Sequence, residues 1–183
     1  MKYASEDLMN EHEGILSALK VMERMTARVK TGGWVESDDL KLMIEFLCLF
    51  ADKCHHGKEE ELLFPAMERA GVRKEGGPIG QMILEHIEGR KLIAAMSEAF
   101  EGDSFDAGRF AAAAEEYVRL LRSHIEKENT VLFPLGNRSI SEDEQKRLLG
   151  EFEAHERRVM GEGVHEQLHE RLRLFMTKYD VAP

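Results

Sequence analysis

The sequence predicts an all-α protein, an up-down-up-down four-helix bundle with additional C-terminal helices. Apolar residues recur at spacings of three and four, no segment alternates with period two, and four long helical segments are joined by short connections. The 183 residues have the usual size of one domain. We therefore expect a single domain over 1–183, with the bundle over about 5–135 and a helical extension over about 141–178.

Capping residues and helix breakers place the first two helices. Ser5 is suited to cap the first helix, which is predicted to end at Thr31-Gly32-Gly33. The second begins near Ser37 and runs to Ala70. A bend or interruption is expected near Pro65, because proline lacks the N–H that a helix interior uses.

The same signals place the other helices. Proline is well suited to a first helical position, and a Ser-x-x-Glu pattern forms a capping box. In chain order, the third helix is predicted from Pro78 to about Phe100 before Glu101-Gly102-Asp103, the fourth from Phe105 or Asp106 to Leu135 with Pro134 at its end, a fifth after the Ser141 and Glu144 capping box, and a last one over about Val164–Lys178 after a break at Gly161 and Gly163.

Charge and composition exclude several functions. The formal net charge is −10, and no basic stripe stands out, so nucleic acid and anionic membranes are not expected partners. The longest purely apolar run is FLCLFA, from which we expect neither a membrane span nor a signal peptide. Cys48 and Cys54 do not align on one helix face, so we expect no mutual disulfide and a reducing, cytoplasmic location. The oligomeric state stays open.

An internal repeat carries the strongest functional signal. CHHGKEEELLFP around His55 recurs 69 residues later as SHIEKENTVLFP around His124, which places Glu59 over Glu128. Residues i and i+4 of a helix lie about 5–6 Å apart on one face, so each copy is a ready-made pair of metal ligands. Two further histidines, His12 and His86, lie on apolar helix faces upstream of the two copies. Two such half-sites predict a dinuclear metal centre inside a pseudo-symmetric bundle.

Helical periodicity selects which side chains of the first copy point inward. The face that carries His55 and Glu59 is otherwise apolar or small, whereas the face of His56 and Glu60 is more polar. We therefore expect His56 and Glu60 to meet water. Imidazole and carboxylate ligands suit iron, manganese or zinc. Four imidazoles and two bridging carboxylates would leave room for an oxo or hydroxo bridge, water or a small molecule.

These motifs together resemble the hemerythrin-like HHE cation-binding domains, over about Asp7 to Leu135. The resemblance implies a four-helix bundle with a non-haem diiron centre that binds dioxygen or a related small molecule. It also implies that Glu59 and Glu128 bridge the two irons. The metal ligands that it implies are His12, His55, Glu59, His86, His124 and Glu128.

The chain departs from the oxygen-carrying hemerythrins in two places. It has Arg90 where those proteins have a second histidine in the third helix, and His124-x-x-x-Glu128 where they have His-x-x-x-x-Asp. Both departures disfavour simple reversible oxygen carriage. One fewer histidine would expose more of the iron to outside ligands, unless Arg90 or another side chain fills the gap.

Three functional hypotheses follow. The first is a diiron protein that binds dioxygen, nitric oxide or peroxide, or senses iron or oxygen status. The alternative is a diiron enzyme for peroxide or nitric oxide detoxification, or for iron–sulfur cluster repair; a metal-free structural bundle is third. Roles left open are hydrogen bonding or electron donation by Tyr117, redox chemistry of Cys48 or Cys54, and a second site at His155, His165 and His169, which we expect on a solvated helix face.

Overall fold

The structure is a computed structural model that describes residues 2–101 and 104–182. Within these ranges the chain forms six continuous helices and no strand, which confirms the all-α prediction. Gly102 and Asp103, predicted as part of a loop, lie outside the described residues. The helices are α1 (Ala4–Lys30), α2 (37–69), α3 (Pro78–Glu98), α4 (107–139), α5 (Glu142–Val159) and α6 (Val164–Lys178). The extent of the domain stays a prediction.

Helices α2 and α4 both contain π-helical stretches, in which the backbone N–H groups bond to carbonyl groups five residues back. In α2, Ser37–Phe46 and Phe64–Arg69 are α-helical, and Leu47–His56 and Glu59–Leu63 are π-helical. In α4, Ala107–Lys127 and Phe133–Ser139 are α-helical around the π-helical Glu128–Leu132. Because a π turn holds more residues than the 3.6 of an α turn, it changes which side chains share a face.

Prolines follow the two π stretches that begin at Glu59 and Glu128, and neither ends its helix. Pro65 and Pro134 each lie in the first turn of the next α-helical segment, where a missing N–H is tolerated. The predicted end of the fourth helix at Leu135 was therefore wrong, since α4 continues to Ser139.

Two serine caps were predicted, and one of them is present. The Ser141 hydroxyl accepts from the backbone N–H of Glu144 at 3.4 Å, which confirms the cap of α5. Ser5 was wrongly predicted as a cap, because α1 already begins at Ala4. The Ser5 hydroxyl instead donates to Asn137 Oδ1 at 2.9 Å and ties the start of α1 to the end of α4.

Helices α1 to α4 enclose two apolar clusters with a polar layer between them. One cluster includes Ile15, Phe50 and Tyr117, and the other includes Leu8, Phe64 and Phe133. Along each of the four helices, a buried histidine lies between residues of the first cluster and residues of the second: His12 in α1, His55 in α2, His86 in α3 and His124 in α4. Burial of the two clusters supplies the hydrophobic stabilisation that holds these costly polar groups inside.

The C-terminal helices pack on the outside of α1 and α2, a location that the sequence left open. Gln145 Oε1 accepts from the backbone N–H of Ala4 at 2.9 Å, and His155 of α5 lies directly over Gly57 of α2. Gly161 and Gly163, both at positive φ, make the turn between α5 and α6. Among the described residues, no helix has the length and apolarity needed to cross a bilayer.

Gly57→Ala should destabilise the protein, because an added Cβ would lie 2.8 Å from His155 Nε2. Overpacking of this kind lowers the free energy of unfolding by about 1–3 kcal/mol, whereas replacing glycine by alanine in a helix raises it by about 1 kcal/mol. The clash should therefore dominate in chemical denaturation. In a His155→Ala background the same change should become neutral or stabilising. An equal loss of stability in both backgrounds would show that contact with His155 is not the cause.

Candidate metal centre

Four imidazoles meet in the polar layer in two pairs. His12 Nε2 lies 3.0 Å from His55 Nε2, and His86 Nε2 lies 3.1 Å from His124 Nε2. All four side chains are essentially buried. The bundle therefore brings one histidine from each of its four helices to a common centre.

Glu59 and Glu128 lie between the two imidazole pairs. Glu59 faces His55 Nε2 at 3.6 Å with one oxygen and His86 Nε2 at 3.3 Å with the other. Glu128 faces His12 Nε2 and His124 Nε2, each at 3.2 Å, in the same divided manner. Both carboxylates are fully buried, and none of their four oxygens makes a hydrogen bond of regular geometry to any residue that the structure describes. Each is thus placed to bridge two cations, one beside each imidazole pair.

The outward ring nitrogen of each imidazole meets a hydrogen-bond acceptor. The Nδ1–H groups donate from His12 to Asn129 Oδ1 at 2.8 Å, from His55 to Glu11 Oε2 at 2.9 Å, from His86 to Glu60 Oε1 at 2.7 Å and from His124 to Glu85 Oε2 at 2.9 Å. Such acceptors fix the position of one proton on Nδ1, so that Nε2 is the nitrogen that a cation can bind once the ring is neutral. Metal-binding histidines are oriented in this way. These four acceptors and the side chains that contact them, here called the outer layer, therefore fit a metal centre.

The outer layer also follows the internal repeat. Lys58 and its repeat equivalent Lys127 donate to the second oxygens of Glu11 and Glu85, respectively. Burial raises the pKa of both carboxyl groups, but hydrogen bonds from the histidines and lysines outweigh it and lower each pKa to about 2. Both acceptors are therefore ionised near neutral pH. The repeat aligns Lys58 with Lys127, but none of these four residues was predicted as part of the site.

Comparison with known proteins gives a family assignment. The hemerythrin HHE cation-binding domain matches residues 3–136. The chain belongs to this family. Its centre is accordingly called the HHE centre below. The match confirms the family resemblance, whereas the assignment of the six predicted residues as metal ligands stays a prediction that their convergence supports.

The individual relatives match this chain over only part of their own length. Two uncharacterized proteins, one of Mycobacterium tuberculosis and one of Mycobacterium bovis, are each 26% identical over 163 residues, which is 87% of this chain and 63% of the relative. Iron-sulfur cluster repair protein DnrN of Neisseria gonorrhoeae is 36% identical over 85 residues, 43% of this chain and 54% of DnrN. The chain thus spans less than two thirds of the curated relatives it matches. No solved structure gives a significant match.

A fifth histidine, His56, reaches the HHE centre. The prediction that it meets water was wrong: it is 3% exposed, and neither ring nitrogen has a hydrogen-bond partner within the described residues. His56, Glu59, His86 and His124 form one group of potential ligands, each offering an atom within 4.8 Å of the others, and His12, His55, Glu59 and Glu128 form a second. Burial and the surrounding cationic groups hold the pKa of His56 well below its usual value, so the ring is neutral and one of its nitrogens has a free lone pair.

The π-helical backbone explains the error. Residues 47–56 are π-helical, so a face drawn with the α-helical period does not apply to them. His55 and His56 consequently both point inward. In the sequence, the sign of a second inward histidine was the pair of adjacent histidines itself. The repeat equivalent of His56 is Ile125, so the HHE centre has an additional imidazole on the side of His86 and His124.

Arg90 belongs to the outer layer rather than to the group of potential ligands. Its guanidinium donates to Asp52 Oδ1 at 2.7 Å and to Glu60 Oε1 at 2.6 Å. Glu60, predicted to meet water, is only partly exposed and also holds His86. Arg90 therefore does not fill the gap left by the missing histidine, and His56 is the additional imidazole there.

Charge in the metal-free centre is balanced by protons. Burial lowers the pKa of His124, but Glu128 and Glu85 outweigh this effect and raise it to about 10. Burial alone would raise the pKa of Glu128, whereas His124 and His12 bring it well below the usual range. His124 therefore carries a proton on both ring nitrogens near neutral pH. A cation that binds at its Nε2 atom must displace the proton there, so metal affinity should fall as the pH falls.

The other residues singled out in the sequence do not belong to the two groups of potential ligands. Tyr117 is buried, its hydroxyl has no hydrogen-bond partner among the described residues, and burial raises its pKa. Burial also raises the pKa of the Cys54 thiol to about 12, which disfavours a redox-sensitive thiolate, and Cys48 is a half-buried free thiol. His155 is buried between α5 and α2, where it faces the Lys53 carbonyl at 3.3 Å.

Proposed function

We propose that the protein is a non-haem diiron protein that binds dioxygen, nitric oxide or peroxide, or senses iron or oxygen status. One observation carries the proposal: two groups of buried ligands share the same central carboxylates. His12 and His55 would hold one iron, and His86, His124 and His56 the other. Glu59 and Glu128 would bridge both.

The donor set supports iron over several other metals. All nine donor atoms are imidazole nitrogens or carboxylate oxygens, and neither cysteine belongs to the groups of potential ligands. This combination suits iron, with manganese and zinc as chemically permitted competitors. Membership of a cation-binding family and similarity to a protein named for iron–sulfur cluster repair favour iron further.

The proposed ligands leave the two metal positions unequal. Two octahedral ions need about twelve donor atoms, so the nine available leave positions for a bridging group and a small ligand. The His12 and His55 side has one imidazole fewer and is the side where a small ligand would bind. Bound iron would supply redox chemistry and Lewis acidity at this open position.

The surroundings of the centre select small ligands. Phe133 stacks on His12 with ring centroids 5.5 Å apart, and Phe64 stacks on His86 at 5.9 Å. Together with the apolar clusters on both sides, these rings exclude bulk water and leave little room for large substrates. Small molecules such as dioxygen, nitric oxide and peroxide fit this restriction.

An enzyme with the same centre is the second candidate, either for peroxide or nitric oxide detoxification or for iron–sulfur cluster repair. The similarity to DnrN favours it, since that protein is named for such repair. Turnover requires a route for electrons or protons. Buried Tyr117, whose hydroxyl has no hydrogen-bond partner in the described part of the chain, is the residue to examine, because the high pKa of Cys54 disfavours that thiol.

Metal analysis tests the proposal directly. Protein made in iron-supplemented medium should contain about two irons per chain, with manganese and zinc measured in the same sample. Stoichiometric uptake of nitric oxide or dioxygen would support a binding or sensing role, whereas multiple turnovers that Glu59→Ala abolishes would support the enzyme. Only trace metal after anaerobic reconstitution would refute a diiron protein of either kind.

A further inference from the structure

A second pair of imidazoles lies outside the HHE centre, at a cavity of about 310 Å³ where α5 and α6 cover α1 and α2. His165 and His169 of α6 form one wall of this cavity. They were predicted on a solvated helix face, and both are partly exposed and partly covered by neighbouring side chains. The other lining residues are Asp7, Asn10, Glu11, Lys58, Phe152, Glu153 and Glu156.

The two imidazoles have the geometry of the pairs inside the HHE centre. His165 Nε2 and His169 Nε2 are 3.1 Å apart, against 3.0 and 3.1 Å for the two central pairs. Two nitrogens that bind one ion at about 2.0–2.1 Å are roughly 2.9–3.4 Å apart at octahedral or tetrahedral angles. The observed separation therefore suits a shared cation.

Packing holds both rings in this orientation. Phe50 stacks on His165 with ring centroids 5.6 Å apart and meets His169 edge to face at 5.3 Å. Gly14 makes room for His169, whose Cε1 would lie only 3.4 Å from an added Cβ. Burial and the neighbouring His165 lower the pKa of His169, which keeps its lone pair available at neutral pH.

Carboxylates complete the surroundings of the pair. Glu156 Oε1 lies 3.9 Å from His165 Nδ1, and Glu156 Oε2 lies 3.5 Å from Lys58 Nζ. The cavity wall carries four acidic side chains, from Asp7, Glu11, Glu153 and Glu156, but only one lysine, so its charge favours a cation. Glu156 faces the Nδ1 atom of His165 and not the paired Nε2 atoms, so it contributes charge to the cavity and is not a third ligand.

We propose that the Nε2 atoms of His165 and His169 form a second cation site that takes one divalent transition-metal ion such as Zn²⁺, with the acidic side chains of the cavity supplying favourable charge. The site is separate from the HHE centre but adjoins it. Glu11 lines the cavity with its side chain and also accepts from His55 Nδ1, so one residue contacts both places.

Equilibrium dialysis of iron-loaded protein against Zn²⁺ tests the site, with iron and zinc counted in the same sample. Wild type should take up one zinc per chain without losing iron. Loss of an outer-layer partner weakens metal binding by about 10–100-fold, so replacing a ligand, as in His165→Ala or His169→Ala, should cost at least about tenfold. The iron count of these variants should not change, which separates this site from the proposed function.

Glu166→Gln is the matched control, because Glu166 is exposed between the two histidines on α6. It should bind zinc as the wild type does. If an alanine variant unfolds by circular dichroism, the His165→Gln and His169→Gln variants replace it. Unchanged zinc uptake in the histidine variants, no uptake by wild type, or uptake matched by loss of iron would each overturn the proposal.

Discussion

Glu128→Gln should abolish most of the thermal stabilisation that iron gives to the protein. Glu128 is fully buried and faces one imidazole of each pair, so its loss removes a ligand from both metal positions. A ligand present at 100 to 1,000 times its Kd stabilises the folded state by about 2.7–4.1 kcal/mol. For a chain of this size that corresponds to a Tm increase of roughly 5–16 °C.

The measurement compares the Tm of iron-loaded and metal-free protein for each variant, together with iron content. Glu126→Gln is the control, because it makes the same chemical change at an exposed position two residues away. It should keep the full iron-dependent increase in Tm. If Glu128→Gln also keeps that increase and binds two irons, Glu128 does not bridge the centre.

His56→Phe should weaken the binding of one of the two irons and leave the binding of the other unchanged. Phenylalanine keeps a ring that can stack on His86, where the centroid separation is now 3.9 Å, but it removes both nitrogens. Because His56 is near Glu59, His86 and His124, the iron on that side should lose affinity by at least about tenfold. Stepwise removal of iron by a chelator, with iron counted at each step, should show one iron released earlier than in wild type.

Ile125→Val is the control for this experiment, since Ile125 is the buried repeat equivalent of His56 and has no metal-binding atom. Both irons of the control should resist the chelator as they do in wild type. An unchanged release profile for His56→Phe would mean that His56 only packs against His86. The HHE centre would then have four imidazoles, as predicted from the sequence.

Most of the fold could be predicted from local signals. The Ser141 cap, the glycine turn before α6 and the first position of Pro78 act within one helical turn, so the sequence specifies them directly. The errors lie where a distant segment or an altered backbone changes the local rule. Ser5 binds Asn137 instead of capping its own helix, and Pro134 is tolerated after a π-helical stretch.

The sequence alone predicted six central residues of the candidate site. Four come from the His-x-x-x-Glu spacing, which is a property of a single helix and occurs in two copies, and the other two, His12 and His86, come from apolar helix faces. Only the tertiary structure decided the outer layer: Glu11 orients His55 from another helix, and Arg90 holds Glu60 instead of entering the centre. It also decided the inward position of His56, which depends on the π-helical backbone. Spacing along one helix fixes a shared face, whereas contacts between helices depend on their rotation and packing, for which no local pattern exists.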